Sequence, residues 1–329
     1  MMSADDQDLP SHFTLNTGAK IPAVGFGTWQ APNDVVEQAV VEALACGYRH
    51  IDCASIYRNE TGVGAGIRRS GVSREDIFIT GKLWNTNHDP ADVEAALDKT
   101  LADLGVAYLD LFLMHWPVAF RGGEKWFPLR EDGQFDVVDI DPADTYRAME
   151  KLLDTGKVRA IGVSNFTKQR LEDLLEKTTV VPAVNQVEAH PYLQQPELVS
   201  FCRARGIQIV AYSPLGNNQT GEPRTVDDPV VQQLARETGI DGGQLLASWG
   251  IQRGIVVLPK SVTPSRIRSN LQVRKLSAEV FGKLMALERH KRFNTQTRWG
   301  VDIFQEIGDE EARRIGQSCA AENKAKFTV

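Results

Sequence analysis

Eight short apolar runs, each ending in polar residues and separated by stretches of helical texture, constrain this chain more than any other feature. In order they are AVGFGTW, YRHIDCA, IFITGKLW, YLDLFLMHW, VRAIGVSNF, AVNQVEAH, IQIVAYSPLG and IVVLPKS, preceded by an N-terminal hairpin around LNTGAKI. Nearly continuous apolar runs of this length suit strands buried on both faces of a parallel sheet. The segments between them carry helix start and stop signals. Asp89 and Pro90 stand at cap and first-turn positions, Val93, Leu97, Leu101 and Leu104 follow at three- and four-residue steps, and Gly105 stops the helix. Asp228 and Pro229 open a second helix in the same way, with Gly239 at its end. DTYRAMEKLLDTGK and PELVSFCRARG stop at Gly156 and Gly206. Strands alternating with helices mean βα units, and eight of them are what a closed α/β barrel, (β/α)8, requires. A doubly wound sheet is the alternative.

No linker divides the 329 residues, and a barrel commonly takes up such a length as one domain. The expected organisation is a frayed, acidic N-terminus over 1–12 and one barrel domain over 13–329. Three stretches break the rhythm: 117–141, 216–227 and the tail from about 290, expected as a substrate loop over 290–329. Long irregular stretches in a compact domain are usually functional or disordered, and in a barrel they gather over the C-terminal face of the strands.

The net charge of −6 predicts no broad basic face for nucleic acid. No apolar run is long enough to span a bilayer, and the start lacks the regions of a secretory signal. Cys46, Cys53, Cys202 and Cys319 are scattered, so reduced thiols in a cytoplasmic protein are expected, with no metal site.

The strand ends carry the chemistry. The second run ends at Asp52 with Tyr57 close behind, the third at Lys82, the fourth at His115. Each alone has an ordinary explanation as a cap, a solvated rim residue or packing. Together, on consecutive strands of a barrel, they meet at the mouth. The set suits reduction of a carbonyl, whose oxygen must gain a proton as its carbon gains a hydride. Tyr57 can give that proton, Lys82 can stabilise the tyrosinate, Asp52 can hold Lys82, and His115 can donate to the same oxygen. The hydride must come from a cofactor. GVGAG, Gly62 to Gly66, is a decoy for a dinucleotide loop: the third glycine is missing, with Ile67 or Arg69 in its place, and the run belongs to a helix.

GYRHIDCASIYRNETGVG closely resembles the first signature of the aldo-keto reductase superfamily. GKLW, MHWP, IGVSNF, NQVEAHP, AYSPLG and LPKSVTPSRIRSN continue in that family's order, so the resemblance runs from about Phe13 to Phe304. It implies a catalytic tetrad of Asp52, Tyr57, Lys82 and His115, and NADPH as cofactor. It implies that Ser164, Asn165 and Gln186 bond the nicotinamide carboxamide and that Tyr212 stacks on the ring. Ser213 and Leu215 would meet the pyrophosphate, Lys260, Ser261 and Arg266 the 2′-phosphate, and Asn270 the adenine, with Thr28 and Trp29 at ribose and pocket positions. KSVTPSR supplies a lysine, an arginine and hydroxyls within seven residues, which suits a phosphate carrying about two negative charges. Ser269 stands where many relatives have a glutamate, which removes a carboxylate near the adenosine.

The resemblance also implies that Trp29, Trp84, Trp116 and Phe120 line an apolar substrate cleft beside Tyr57 and His115, with Trp299 closing it. RFNTQTRWGVDIF resembles the tail of fungal members related to NADP-dependent glycerol dehydrogenases. The expected substrate is a small carbonyl compound, a short hydroxy-aldehyde such as glyceraldehyde or a general aldehyde. A sugar or uronate reductase is the second reading, and a non-catalytic NADPH-binding subunit the third. Analogy with relatives suggests a monomer.

Overall fold

The computed structural model describes residues 8–218 and 221–327. A hairpin of β1 (His12–Thr14) and β2 (Lys20–Pro22) leads into the barrel. The expected frayed end therefore stops short of His12, which already pairs with Pro22; residues 1–7 lie outside the described residues. The further strands are β3 (Phe26–Gly27), β4 (His50–Asp52), β5 (Phe78–Leu83), β6 (Leu111–Met114), β7 (Ala119–Phe120), β8 (Val137–Val138), β9 (Ile161–Ser164), β10 (Val184–Glu188), β11 (Gln208–Tyr212) and β12 (Val256–Val257).

Leaving out the β7–β8 hairpin, strands β3 to β12 form one parallel sheet in sequence order. A parallel bridge between Val24 and Val257 joins its two edges, with Gly25 N donating to Val257 O at 2.8 Å and Val257 N to Ala23 O at 2.9 Å. Closure and sequential order make this a barrel and dispose of the doubly wound alternative. Alternate residues of each strand face opposite ways. Leu111 and Leu113 join Phe78, Val184, Val210 and Val256 in one apolar cluster, with Leu15 and Ile21 of the hairpin against it. Phe112 and Met114 join Ile79, Ile161, Val163 and Ile209 in a second cluster that includes the helices. Both faces are dry, which is why the runs are apolar throughout.

The helices are α1 (Asn33–Cys46), α2 (Glu60–Ser70), α3 (Val93–Leu104), α4 (Pro142–Leu152), α5 (Lys168–Lys177), α6 (Pro196–Ala204), α7 (Pro229–Thr238), α8 (Gly242–Gln252), α9 (Pro264–Leu271), α10 (Ala278–Met285), α11 (Asp309–Ser318) and α12 (Ala320–Phe327). Asp228 caps α7 by accepting from Val230 N, as the Asp-Pro pair predicts. Asp89 does not cap α3. Its carboxylate accepts from Ala91 N in a separate turn, and helical bonding starts a turn later, with Ala96 N on Asp92 O. The GVGAG run lies on α2, and its glycines are packing contacts. A Cβ on Gly62 would stand 2.4 Å from Asn33 O, and one on Gly64 2.1 Å from Leu104 O, so α2 sits backbone-close to its neighbours.

The irregular stretches are partly ordered. The first contains the β7–β8 hairpin. The second ends in a 3-10 turn, Thr225–Asp227, and its residues 219 and 220 lie outside the described residues. The tail, expected as a loop over 290–329, is irregular as far as Gly308 apart from a 3-10 turn, Thr297–Trp299, and helical beyond it in α11 and α12. Asp309, Glu310 and Glu311 occupy the first turn of α11, where negative charge is favoured.

Candidate active site

The four predicted catalytic residues converge. Register places Gly27 beside Asp52, and Lys82 beside Leu113 one step before the end of β6. Lys82 Nζ donates to Asp52 Oδ2 at 2.6 Å, to Cys53 O at 2.7 Å and toward Tyr57 Oη at 3.4 Å. Its side chain is fully buried. A buried ammonium is tolerable only when paired and bonded, and all three of its contacts are supplied. Thr28 Oγ1 donates to Asp52 O at 2.8 Å, and Gln186 Nε2 donates to Asp52 Oδ1 at 2.8 Å. The Asp52 carboxylate is thus held on one oxygen by Lys82 and on the other by Gln186, while Thr28 holds its backbone.

Burial, with Asp52 and then Cys53 adding, pushes the Tyr57 phenol well above its ordinary range. Desolvation dominates, so the phenol is neutral. The ammonium at 3.4 Å can stabilise the oxygen once its proton has left. Burial, with Lys82 adding, holds the His115 imidazole well below its usual range, so it is neutral. The Tyr57 and His115 rings meet edge to face at 5.9 Å.

These residues open onto a cavity of about 820 Å³. At the barrel mouth it is lined by Trp29, Trp84, Trp116 and Trp299. Trp116 stacks on His115 at 6.1 Å and meets Trp299 edge-on at 5.1 Å. Trp84 Nε1 donates to Trp126 O at 2.8 Å, which fixes its ring. Phe120 does not line the cavity. It is buried behind it, stacked on Phe135 at 5.5 Å and packed on Trp299 at 5.0 Å, so it supports the wall.

The other arm of the cavity runs past Thr28, Asn165, Gln186, Tyr212, Ser213 and Leu215 to Lys260, Ser261 and Arg266. Asn165 and Ser213 hold positive φ values of 65° and 47°, a strained choice for a serine that persists when surroundings enforce it. Asn165 Nδ2 donates to His115 O at 2.9 Å, and Tyr212 Oη donates to Asn165 Oδ1 at 2.7 Å. Ser164 lies behind this row, donating to Gln186 O at 2.8 Å and accepting from Asn165. It braces the arm without lining it. Asn270 is also off the cavity, buried against Gly243 of α8. Gln186 lines the cavity, but its amide nitrogen is committed to Asp52.

Lys260 and Arg266 form no ion pair among the described residues, and burial lowers Lys260 from its ordinary value. Two unpaired cations with the Ser261 hydroxyl at one end, and a tyrosine beside amides at the other, suit a long phosphorylated molecule with a flat polar ring. The dinucleotide NADPH fits that donor set. Sequence reasoning missed Ile56, Phe127, Arg224, Arg298, Lys326 and Phe327, which also line the cavity. Phe127, Arg224, Arg298, Lys326 and Phe327 all fall inside the stretches marked as irregular, and Phe327 is carried to the site by α12.

The aldo/keto reductase family model matches residues 23–289. Aldo-keto reductase family 1 member A1 of Cricetulus griseus is 46% identical over 297 residues, covering 87% of this chain and 92% of that protein. The protein of the same description from Homo sapiens is 45% identical over 291 residues, covering 85% and 90%. An aldose reductase structure from Schistosoma japonicum superposes with a TM-score of 0.85 at 37% identity, covering 90% of this chain and 99% of that one. The chain belongs to the aldo/keto reductase family.

Proposed function

We propose that this protein reduces aldehydes and ketones to alcohols with NADPH, using Tyr57 as proton donor. The observation that carries this reading is the buried Asp52–Lys82–Tyr57 chain opening beside His115 onto an aromatic cavity. NADPH would supply the hydride. It would be held by Asn165 and Tyr212 at the nicotinamide end and by Lys260, Ser261 and Arg266 at the 2′-phosphate.

The chain's own residues do the rest. Neutral His115 and Tyr57 converge on the place where a carbonyl oxygen can sit, and two donors there orient it and stabilise the charge that develops. As the oxygen gains charge it takes the Tyr57 proton, and Lys82 faces the resulting tyrosinate. Asp52, bonded by Gln186 and Thr28, keeps the ammonium in place. The tryptophans exclude water and hold the apolar part of the substrate. Short hydroxy-aldehydes such as glyceraldehyde are the proposed substrates, in a cytoplasmic, monomeric enzyme.

Steady-state rates on a carbonyl panel with NADPH and NADH test the reading. Turnover of short aldehydes ahead of aldoses, with NADPH strongly preferred, supports it. Preference for pentoses or uronates moves the assignment to a sugar reductase. Tight NADPH binding with no turnover of any carbonyl overturns it in favour of a non-catalytic subunit.

A further inference from the structure

Glu188 ends β10 on the same side of the strand as Gln186, and register sets it beside Tyr212. The proposed chemistry does not use it, yet its carboxylate is fully buried. A buried charge persists only when it is paired and hydrogen-bonded, and here donors reach both oxygens. Phe293 N donates to Oε1 at 2.8 Å, and Asn294 N and Nδ2 donate to Oε2 at 2.9 and 3.1 Å. His190 Nε2 stands 2.8 Å from Oε1, and its ring lies against that of Phe293 at 5.2 Å. Burial raises the carboxyl, but the bonds from His190, Phe293 and Asn294 outweigh it and hold Glu188 below its ordinary value. The carboxylate therefore grips the tail at its first two steps toward the barrel mouth.

The tail is fastened again farther on. Half-buried Arg170 of α5 donates through Nε to Ile303 O at 2.9 Å and through Nη2 to Asp302 O at 3.1 Å. Between the two fastenings the chain takes positive φ at Gln296 and Gly300, 53° and 75°, and presents Gln296 and Trp299 to the cavity. Its only regular element there is the 3-10 turn Thr297–Trp299. A single turn has little stability of its own, so the place of Trp299 depends on how the ends of the span are held.

We infer that Glu188, with Arg170 at the other end, is a positioning residue for the substrate wall: it holds residues 293 and 294 so that Trp299 closes the cavity beside Trp116. The inference rests on the proposed reductase activity and gives Glu188 no part in hydride or proton transfer. A wall held in place favours bound substrate and transition state alike, so its loss appears in KM and spares kcat.

The test uses the full chain with NADPH and glyceraldehyde. Glu188→Gln keeps the size of the side chain but replaces one accepting oxygen with an NH2 group that faces donors. The KM for glyceraldehyde is expected to rise about fivefold to twentyfold, less than the full worth of a charge-assisted bond because Arg170 still holds the far end. Both kcat and the NADPH dissociation constant should stay within about twofold. Hydrogen exchange at the Phe293 and Asn294 amides should quicken, with Val187 of β10 unchanged. If Glu188→Gln does not fold, Arg170→Met should show the same split between KM and kcat. An unchanged KM in whichever variant folds overturns the inference. So does a loss of kcat or NADPH affinity matching the rise in KM, which would make Glu188 a support of the whole barrel. If the parent protein turns over no carbonyl, the reductase reading itself fails, and the exchange comparison still decides whether Glu188 holds the tail.

Discussion

In the proposed reaction Tyr57 has to keep its proton until the carbonyl arrives and then release it. Burial satisfies the first requirement, and Lys82 at 3.4 Å the second. Sequence alone conveyed only the second, because strand-end spacing shows which groups meet but not how deeply they are desolvated. The same limit hid the commitment of Gln186 to Asp52. Glu60 was legible only as a residue after Tyr57. In the fold it is buried, and burial, followed by Asp103, raises its carboxyl to about 8. The sign follows from linkage. Between the ordinary value of 4.5 and about 8, the folded state binds a proton that the unfolded state does not. Stability contributed by this group is therefore full below 4.5 and is lost as pH rises through 8, at about 1.4 kcal/mol per pH unit. Denaturant titrations at pH 5 and 8 should show a smaller fall for Glu60→Gln than for the parent protein. Equal falls would mean that Glu60 is already ionised in the fold.

At the level of elements, the α2 glycines and the helical tail show where pattern reading stops. The eight strands were legible because burial on both faces leaves an apolar run, and the helix ends because Gly105, Gly156 and Gly239 carry positive φ. The tail was not, because the buried residues of α11 and α12, Ala312, Gly316 and Asn323, are small or polar and give little apolar signal. Nor does a glycine run say what lies against it. Gly64→Ala should destabilise by roughly 1–3 kcal/mol, since a Cβ would meet Leu104 backbone at 2.1 Å. Gly282→Ala, in α10 with nothing within 4 Å, should stabilise by about 1 kcal/mol. Paired denaturant midpoints check both. A neutral Gly64→Ala would mean that α2 can shift away from α3.

Across the whole molecule, one cavity joins an aromatic mouth to a cationic far end, and the tetrad stands where the two arms meet. The far end makes its own prediction. Arg266→Ala should weaken NADPH binding about tenfold to a hundredfold, the range of a hydrogen bond to a charged group, and NADH binding by less than about threefold. Fluorescence titration of both cofactors measures this, and equal losses would remove the phosphate from that end. The central claim is proton donation by Tyr57. Removing Asp52 or Lys82 would break a buried ion pair, which generally costs about 3–5 kcal/mol, so neither is as clean a probe as deletion of one phenolic oxygen. The decisive measurement is NADPH consumption with a short aldehyde by Tyr57→Phe, beside its NADPH dissociation constant. The account predicts a loss in kcat of at least about a hundredfold with cofactor affinity nearly unchanged; turnover that survives, or a matching loss of NADPH affinity, would contradict it.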